Sequence, residues 1–155
     1  MSRRPALAVA LIAAAAVSTV PAHAAAAKKP KPFKGSYTVS LMPDPTPDVI
    51  GQVPGQEMNC GTLPSSIDKH ALTVPGAGKL SVKLVSADPA PAAEPLLFDW
   101  DLYLLDSSGA VVDSSHTEFA TEETSTKLKK KTALTIMVCN LTGEQAGTVT
   151  YSYTP

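Results

Sequence analysis

The chain has little of what marks several common protein classes. Among its 155 residues there are only two cysteines, and aromatic residues make up 5%. Two cysteines are too few for a disulfide-rich scaffold, and a tetrahedral zinc site would need both His70 and His116 in addition. No segment shows sustained helical periodicity, and the sequence contains no G-x-S-x-G or H-E-x-x-H motif. These absences argue against a helical domain and against the hydrolase classes that those two motifs mark.

A strong positive charge is also missing. The formal net charge is -1, and removal of residues 1–24 would take away Arg3 and Arg4, leaving 11 basic residues against 14 acidic ones. Such a balance argues against a general nucleic-acid binder. The one basic run is "KLKKK" at residues 127–131. It is typical of a solvated turn or a lysine-guarded edge strand, with a docking patch for an anionic polymer as the alternative.

Long apolar runs are confined to the N-terminus. Residues 6–17 form a continuous apolar stretch behind Arg3 and Arg4, followed by the small-residue pattern Ala22-His23-Ala24. This arrangement predicts a signal peptide over residues 1–24 and therefore a secreted protein. No second apolar stretch is long enough to cross a bilayer, so we expect no membrane span in the mature protein.

The remaining chain has the pattern of an all-β domain. Residues 25–34 are small, basic and proline-rich, which predicts a flexible leader. From residue 35 to 155, short runs of alternating apolar and polar residues are separated by Gly/Pro turns, as in "KLSVKLV" and "GTVTYSYT". This spacing predicts a single antiparallel β-sandwich domain.

The two cysteines, Cys60 and Cys139, are expected to form a disulfide because the chain is predicted to be exported. Two free thiols, or a pair that binds metal, are the alternatives.

Acidic residues occupy the most apolar strand, "DWDLYLLDSSG" at 99–109. Alternation places Asp99, Asp101 and Tyr103 on one face. A hairpin in which Asp106 pairs with Ala110 would set Tyr103 opposite Asp113, which adds a third carboxylate to that face. Three such carboxylates would be well solvated, accept backbone N–H groups, or hold calcium. Asp99, Asp101 and Asp113 are therefore candidate calcium ligands.

The motifs "LTVPGAGKLSVKLV", "DWDLYLLDSSGAVVDSS" and "LTIMVCNLTGEQAGTVTYSYT" resemble the bacterial pre-peptidase C-terminal domain over residues 66–153. That family is similar to the collagen-binding domains of clostridial collagenases. The resemblance implies a secreted jelly-roll sandwich, and some members of the family bind calcium through acidic residues. The chain departs from the pattern at "KKKTALTIMV", in having Cys60 and Cys139, and in having no peptidase before the domain.

These observations predict a secreted, non-enzymatic module that binds an extracellular protein or polymer, with calcium as the only possible cofactor and no role in nucleic-acid binding. The alternative is a secreted enzyme or enzyme inhibitor that acts through the proline-rich loops 42–56 and 86–95.

Overall fold

The computed structural model describes residues 29–44, 60, 63–87, 99–117 and 119–155. The predicted signal peptide, most of both proline-rich loops and the first part of the leader lie outside these ranges. Residues 29–32 have no regular secondary structure, and the first strand begins at Phe33, two residues before the predicted start of the domain.

Eight strands and one short 3-10 turn make up the described chain. The strands are β1 (Phe33–Ser40), β2 (Ile67–Val74), β3 (Gly78–Ser86), β4 (Asp99–Asp106), β5 (Val111–Ser115), β6 (Thr121–Leu128), β7 (Thr132–Thr142) and β8 (Ala146–Thr154), and the turn is Pro64–Ser66. Within these ranges, no helix is long and apolar enough to cross a bilayer.

The strands form two four-stranded antiparallel sheets. Sheet I has the order β1-β8-β3-β6 and sheet II has the order β2-β7-β4-β5. Strands that are adjacent in a sheet are mostly distant in sequence, so the chain passes repeatedly from one sheet to the other, as in a jelly roll. The prediction of an antiparallel, jelly-roll-like β-sandwich is confirmed.

The main core lies between the sheets and follows from the alternation of side chains along each strand. Inward-facing residues such as Leu80, Leu84, Leu102, Ile136 and Val149 are fully buried there. Their removal from water is the main source of stability for such a sandwich. Tyr153 is also buried in the core and Tyr151 packs against it, which confirms that the apolar face of the last strand is a packing face.

A second, smaller cluster covers part of the outer face of sheet II. Cys60 packs there with Tyr103, Leu105, Met137 and Cys139. Cys60 and Cys139 form a disulfide with a Cα–Cα distance of 5.4 Å, as the sequence predicted. Strand β7 is therefore buried on both faces along much of its length, which explains its nearly continuous apolar sequence.

The hairpin between β4 and β5 has a different register from the one predicted. The turn forms as expected: Gly109 has φ of 86°, and Asp106 accepts hydrogen bonds from Ser108 and Ala110. Leu105 pairs with Val111, but a bulge follows, so that Leu104 faces Asp113 and Tyr103 faces Ser114. The prediction that Tyr103 faces Asp113 was wrong, because one extra residue in an edge strand shifts every later pair.

Candidate functional site

The outer face of sheet I carries an almost entirely polar surface, which we call the hydroxyl–lysine face. Directly opposed residues form four rows across the strands: Thr154, Lys79 and Lys127; Lys34, Ser152, Ser81 and Ser125; Ser36, Thr150, Lys83 and Glu123; and Thr38, Thr148, Val85 and Thr121. Apart from the half-buried Ser81, Val85 and Ser152, all of them are exposed. The face therefore presents hydroxyl groups and ammonium groups directly to solvent.

Strand alternation explains why the two faces of sheet I are so different. The aromatic residues of its strands, Phe33, Tyr37, Tyr151 and Tyr153, pair with one another or with core residues and lie on the inner side. Their neighbours in sequence are serine, threonine and lysine, which point outward. The only apolar side chain in the four rows is Val85.

A shallow cleft of about 570 Å³ lies in the middle of this face. Its lining includes Lys34, Lys83, Ser81, Thr150 and Glu123. Hydroxyl groups donate and accept hydrogen bonds, and the two ammonium groups add donors with positive charge. The cleft can therefore hydrogen-bond a polar ligand from several directions, while Glu123 supplies the one negative charge.

A second cleft, of about 480 Å³, lies at one end of the same sheet. Lys79 and Lys127 line it, together with the C-terminal residues Thr154 and Pro155. Lys129, Lys130 and Lys131 are exposed in the adjoining β6–β7 turn. The basic run noted in the sequence therefore extends from the hydroxyl–lysine face onto the end of the sandwich.

The aspartates of the predicted calcium site lie on the other sheet. Asp101 is 2% exposed on the outer face of sheet II, and its Oδ2 accepts a hydrogen bond of 2.8 Å from the hydroxyl of Tyr103. Burial raises the pKa of Asp101 to about 7, and the negative charge of Asp99 adds to the increase, while the Tyr103 hydrogen bond opposes it. The acidic side chain in the middle of this apolar strand is thus paired with the tyrosine two residues further on.

Asp113 does not join this pair. It is opposite Leu104, whose side chain faces the core, so Asp113 lies on the other face of the sheet, and its Oδ1 accepts the backbone N–H of Ser114. The register behind the proposed three-carboxylate calcium site was therefore wrong. In the part of the chain that is described, no group of three or more His, Cys, Asp or Glu side chains is placed to hold a metal ion.

Sequence reasoning missed a buried glutamate between the two sheets. Glu122 of β6 is fully buried, and its carboxylate accepts hydrogen bonds from the hydroxyl groups of Ser115 and Thr117 and from the Thr117 N–H at 3.1 Å. These contacts join the edge strand of sheet I to the chain that leaves the edge of sheet II. The signal was present in the alternation of β6, which puts Glu122 and Leu128 on the same, inward side.

The two mature histidines lie apart. His70 stacks on Tyr37 with 4.3 Å between ring centroids, and its ring is 5.9 Å from that of Tyr151. His116 is exposed and lies 6.5 Å from the Tyr103 ring. Among the described residues, no hydrogen bond joins either histidine to a serine.

The stack of His70 on Tyr37 lies near Asp68, between β1 of sheet I and β2 of sheet II. Burial raises the pKa of Tyr37 above its ordinary value, and the nearby Asp68 carboxylate reinforces the increase. Tyr37 therefore stays a neutral phenol that packs against the core, and we assign this cluster a structural role.

Comparisons with known proteins add little to this description. No protein-family model matches the chain, and no curated protein matches it. A solved structure, the crystal structure of Yersinia pseudotuberculosis-derived mitogen (YPM), is similar over 57% of this chain and 86% of that chain, with 13% sequence identity and a TM-score of 0.34. A similarity at that level carries no argument about function, so the geometry of the chain itself has to supply one.

Proposed function

We propose that this chain is a secreted, non-enzymatic β-sandwich module that binds an extracellular polymer through the hydroxyl–lysine face. The observation that carries the proposal is the open face itself, in which hydroxyl and ammonium groups, with Val85 and Glu123 as the only other side chains of the four rows, extend across four paired strands and surround a cleft of about 570 Å³. Secretion is supported by the apolar N-terminal run and by the Cys60–Cys139 disulfide.

The chemistry of the face favours a polar polymer over a folded protein partner. Protein interfaces depend on buried aromatic and apolar anchors that fill pockets on the partner. The face has Val85 as its only apolar member, whereas its hydroxyl groups can exchange hydrogen bonds with a hydroxylated chain along its whole length. A long polar ligand can make many weak contacts of this kind at once.

The experiment is a binding survey with one hydroxyl deletion and a matched control. The mature protein should bind at least one polysaccharide in affinity electrophoresis against a panel that includes neutral dextran and carboxylated polygalacturonate. Thr150→Val removes a cleft hydroxyl without changing side-chain shape, and loss of one hydrogen bond of about 1 kcal/mol should weaken binding roughly fivefold.

The control is Thr73→Val, which makes the same change at an exposed position on the outer face of β2 in sheet II. Its affinity should equal that of the wild type. Equal losses in both variants, or no binding to any member of the panel, would refute the proposed surface.

A further inference from the structure

The geometry points to an anionic polysaccharide as the ligand, bound along β3 from the central cleft to the basic end of the sandwich. This inference rests on the proposed binding face and specifies the class of polymer that it takes. Its basis is the spacing of the lysines along the face and the balance of charge around them.

Positive charge is concentrated on this surface although the chain as a whole is slightly acidic. The formal net charge of the chain is -1, yet the four rows of the face contain Lys34, Lys79, Lys83 and Lys127 and only one acid, Glu123. A patch of opposite sign to the rest of the molecule attracts and orients an oppositely charged ligand. The complementary ligand carries carboxylate or phosphate groups.

Three of these lysines, Lys79, Lys83 and Lys127, lie along β3 and its neighbour β6, whereas Lys34 lies on β1, two strands away. Lys79 and Lys83 are four residues apart on β3 and project from the same face, which separates them by roughly 13 Å at the usual strand rise. Lys79 is paired with Lys127 at the second cleft, and Lys83 lines the first. A single small anion cannot contact both ends of this line, whereas a chain with repeated negative charges can.

The line continues beyond the sheet. Lys129, Lys130 and Lys131 follow Lys127 in the β6–β7 turn, and Lys29 and Lys31 are exposed in the segment before β1. Pro30 of that segment lies against Gly76 in the β2–β3 turn, at the same end of the sandwich. The one acid in the neighbouring β4–β5 turn, Asp106, is engaged by Ser108 and Ala110 within its own hairpin.

Polysaccharide is favoured over single-stranded nucleic acid because the four outer rows contain no aromatic side chain on which bases could stack. Proteins that bind single strands without sequence preference use aromatic side chains on which successive bases stack. In the four strands of sheet I, every aromatic ring lies on the inner side, and the outer rows supply only hydroxyl, ammonium and carboxylate groups with Val85. These groups match the hydroxyl and acidic groups of an anionic sugar chain.

The test compares polygalacturonate, dextran and a single-stranded oligonucleotide by isothermal titration at several salt concentrations. Wild-type protein should prefer polygalacturonate, and the logarithm of its affinity should fall linearly with the logarithm of salt concentration because bound counterions are released. A combined Lys79→Gln, Lys83→Gln and Lys127→Gln variant should bind roughly tenfold more weakly or worse and show a shallower salt dependence.

The control is Lys69→Gln on the exposed outer side of β2, which removes one positive charge from the other sheet and should leave the affinity nearly unchanged. Its match in charge is Lys83→Gln alone, which should weaken binding because Lys83 lines the central cleft. Glu123→Gln should tighten binding, because it removes the one acid in the central cleft. Circular dichroism would confirm that each variant keeps its β spectrum.

The results distinguish an anionic ligand from a polar ligand of another kind on the same face. Binding of dextran with no salt dependence, weakened in Thr150→Val and unchanged in the lysine variant, would overturn the anionic ligand and keep the face. Tighter binding of the oligonucleotide than of polygalacturonate would also overturn the inference. Polygalacturonate binding that Lys69→Gln weakens as much as the triple variant would overturn both.

Discussion

Replacement of Asp101 by asparagine is expected to change how the stability of this domain depends on pH. In the folded protein the carboxyl group of Asp101 is buried and has a pKa of about 7, whereas its ordinary value is 3.8. The folded state therefore holds a proton that the unfolded chain has released throughout this interval. The contribution of Asp101 to the free energy of unfolding therefore falls as pH rises from about 4 to about 7.

The size of the effect follows from the two pKa values. A difference of about three pKa units, at 1.36 kcal/mol for each, corresponds to about 4 kcal/mol as an upper limit. The stabilisation is fully present below the unfolded pKa of 3.8 and is lost as pH passes through the folded pKa. In Asp101→Asn the amide cannot ionise, and its oxygen can still accept the Tyr103 hydrogen bond.

The measurement is urea unfolding of wild type and variant at a series of pH values from 4 to 8.5, analysed by linear extrapolation. The two proteins should have similar stability near pH 4, and the variant should become progressively more stable than the wild type up to about pH 7, above which the difference levels off because Asp101 is ionised in both states. A difference that stays constant across the series would refute the reasoning, because it would mean that Asp101 does not titrate in this window.

Asp106→Asn is a control of opposite sign. Asp106 lies in the exposed turn, where hydrogen bonds from Ser108 and then Ala110 lower its pKa below the ordinary value. Its stabilising contribution is present above the unfolded pKa and is lost as pH falls through the folded one. The variant should therefore be less stable than the wild type at neutral pH, and the gap should close in acid.

Three further predictions concern the disulfide, calcium and export. Cys60 and Cys139 are 79 residues apart, so replacing both by serine should lower the free energy of unfolding by up to about 4.5 kcal/mol by chain-entropy arithmetic. The loss should appear as a lower urea midpoint, and an unchanged midpoint would mean that the two thiols were already free. Because Asp113 faces away from Asp101, melting temperatures in millimolar calcium and in chelator should coincide, and a rise of several degrees with calcium would restore the metal hypothesis. N-terminal sequencing of exported protein should begin at residues 25 to 28, and an intact Met1 would contradict the predicted signal peptide.

The disulfide and the β-sandwich follow from local features of the sequence. Alternation in segments such as "KLSVKLV" can bury Leu80, Val82 and Leu84 only if the segment is a strand with one face in the core. Two cysteines in a chain predicted to be exported have one possible intrachain pairing. The period of the apolar–polar alternation and the number of cysteines are sufficient for both predictions.

The faces on which Asp101 and Asp113 lie could not be predicted from local sequence in the same way. The bulge in β5 adds one residue to an edge strand, and the sequence "GAVVDSS" is compatible with either register. The choice between them depends on packing between sheets, where Glu122 of β6 binds Ser115 across the seam. That contact joins residues in two different sheets, so the pattern within one hairpin holds no information about it.

The hydroxyl–lysine face also depends partly on local sequence and partly on tertiary structure. The sequence alone determined that serine, threonine and lysine alternate with core residues in β1, β3 and β8, which gives each of these strands one polar side, and that β6 is polar along nearly its whole length. Only the tertiary structure decided that these four polar sides lie next to one another, because strand order depends on long-range pairing such as that of β1 with β8. It also decided that Cys60 packs on the outer face of the other sheet, where the side chains of Tyr103 and Cys139 are buried.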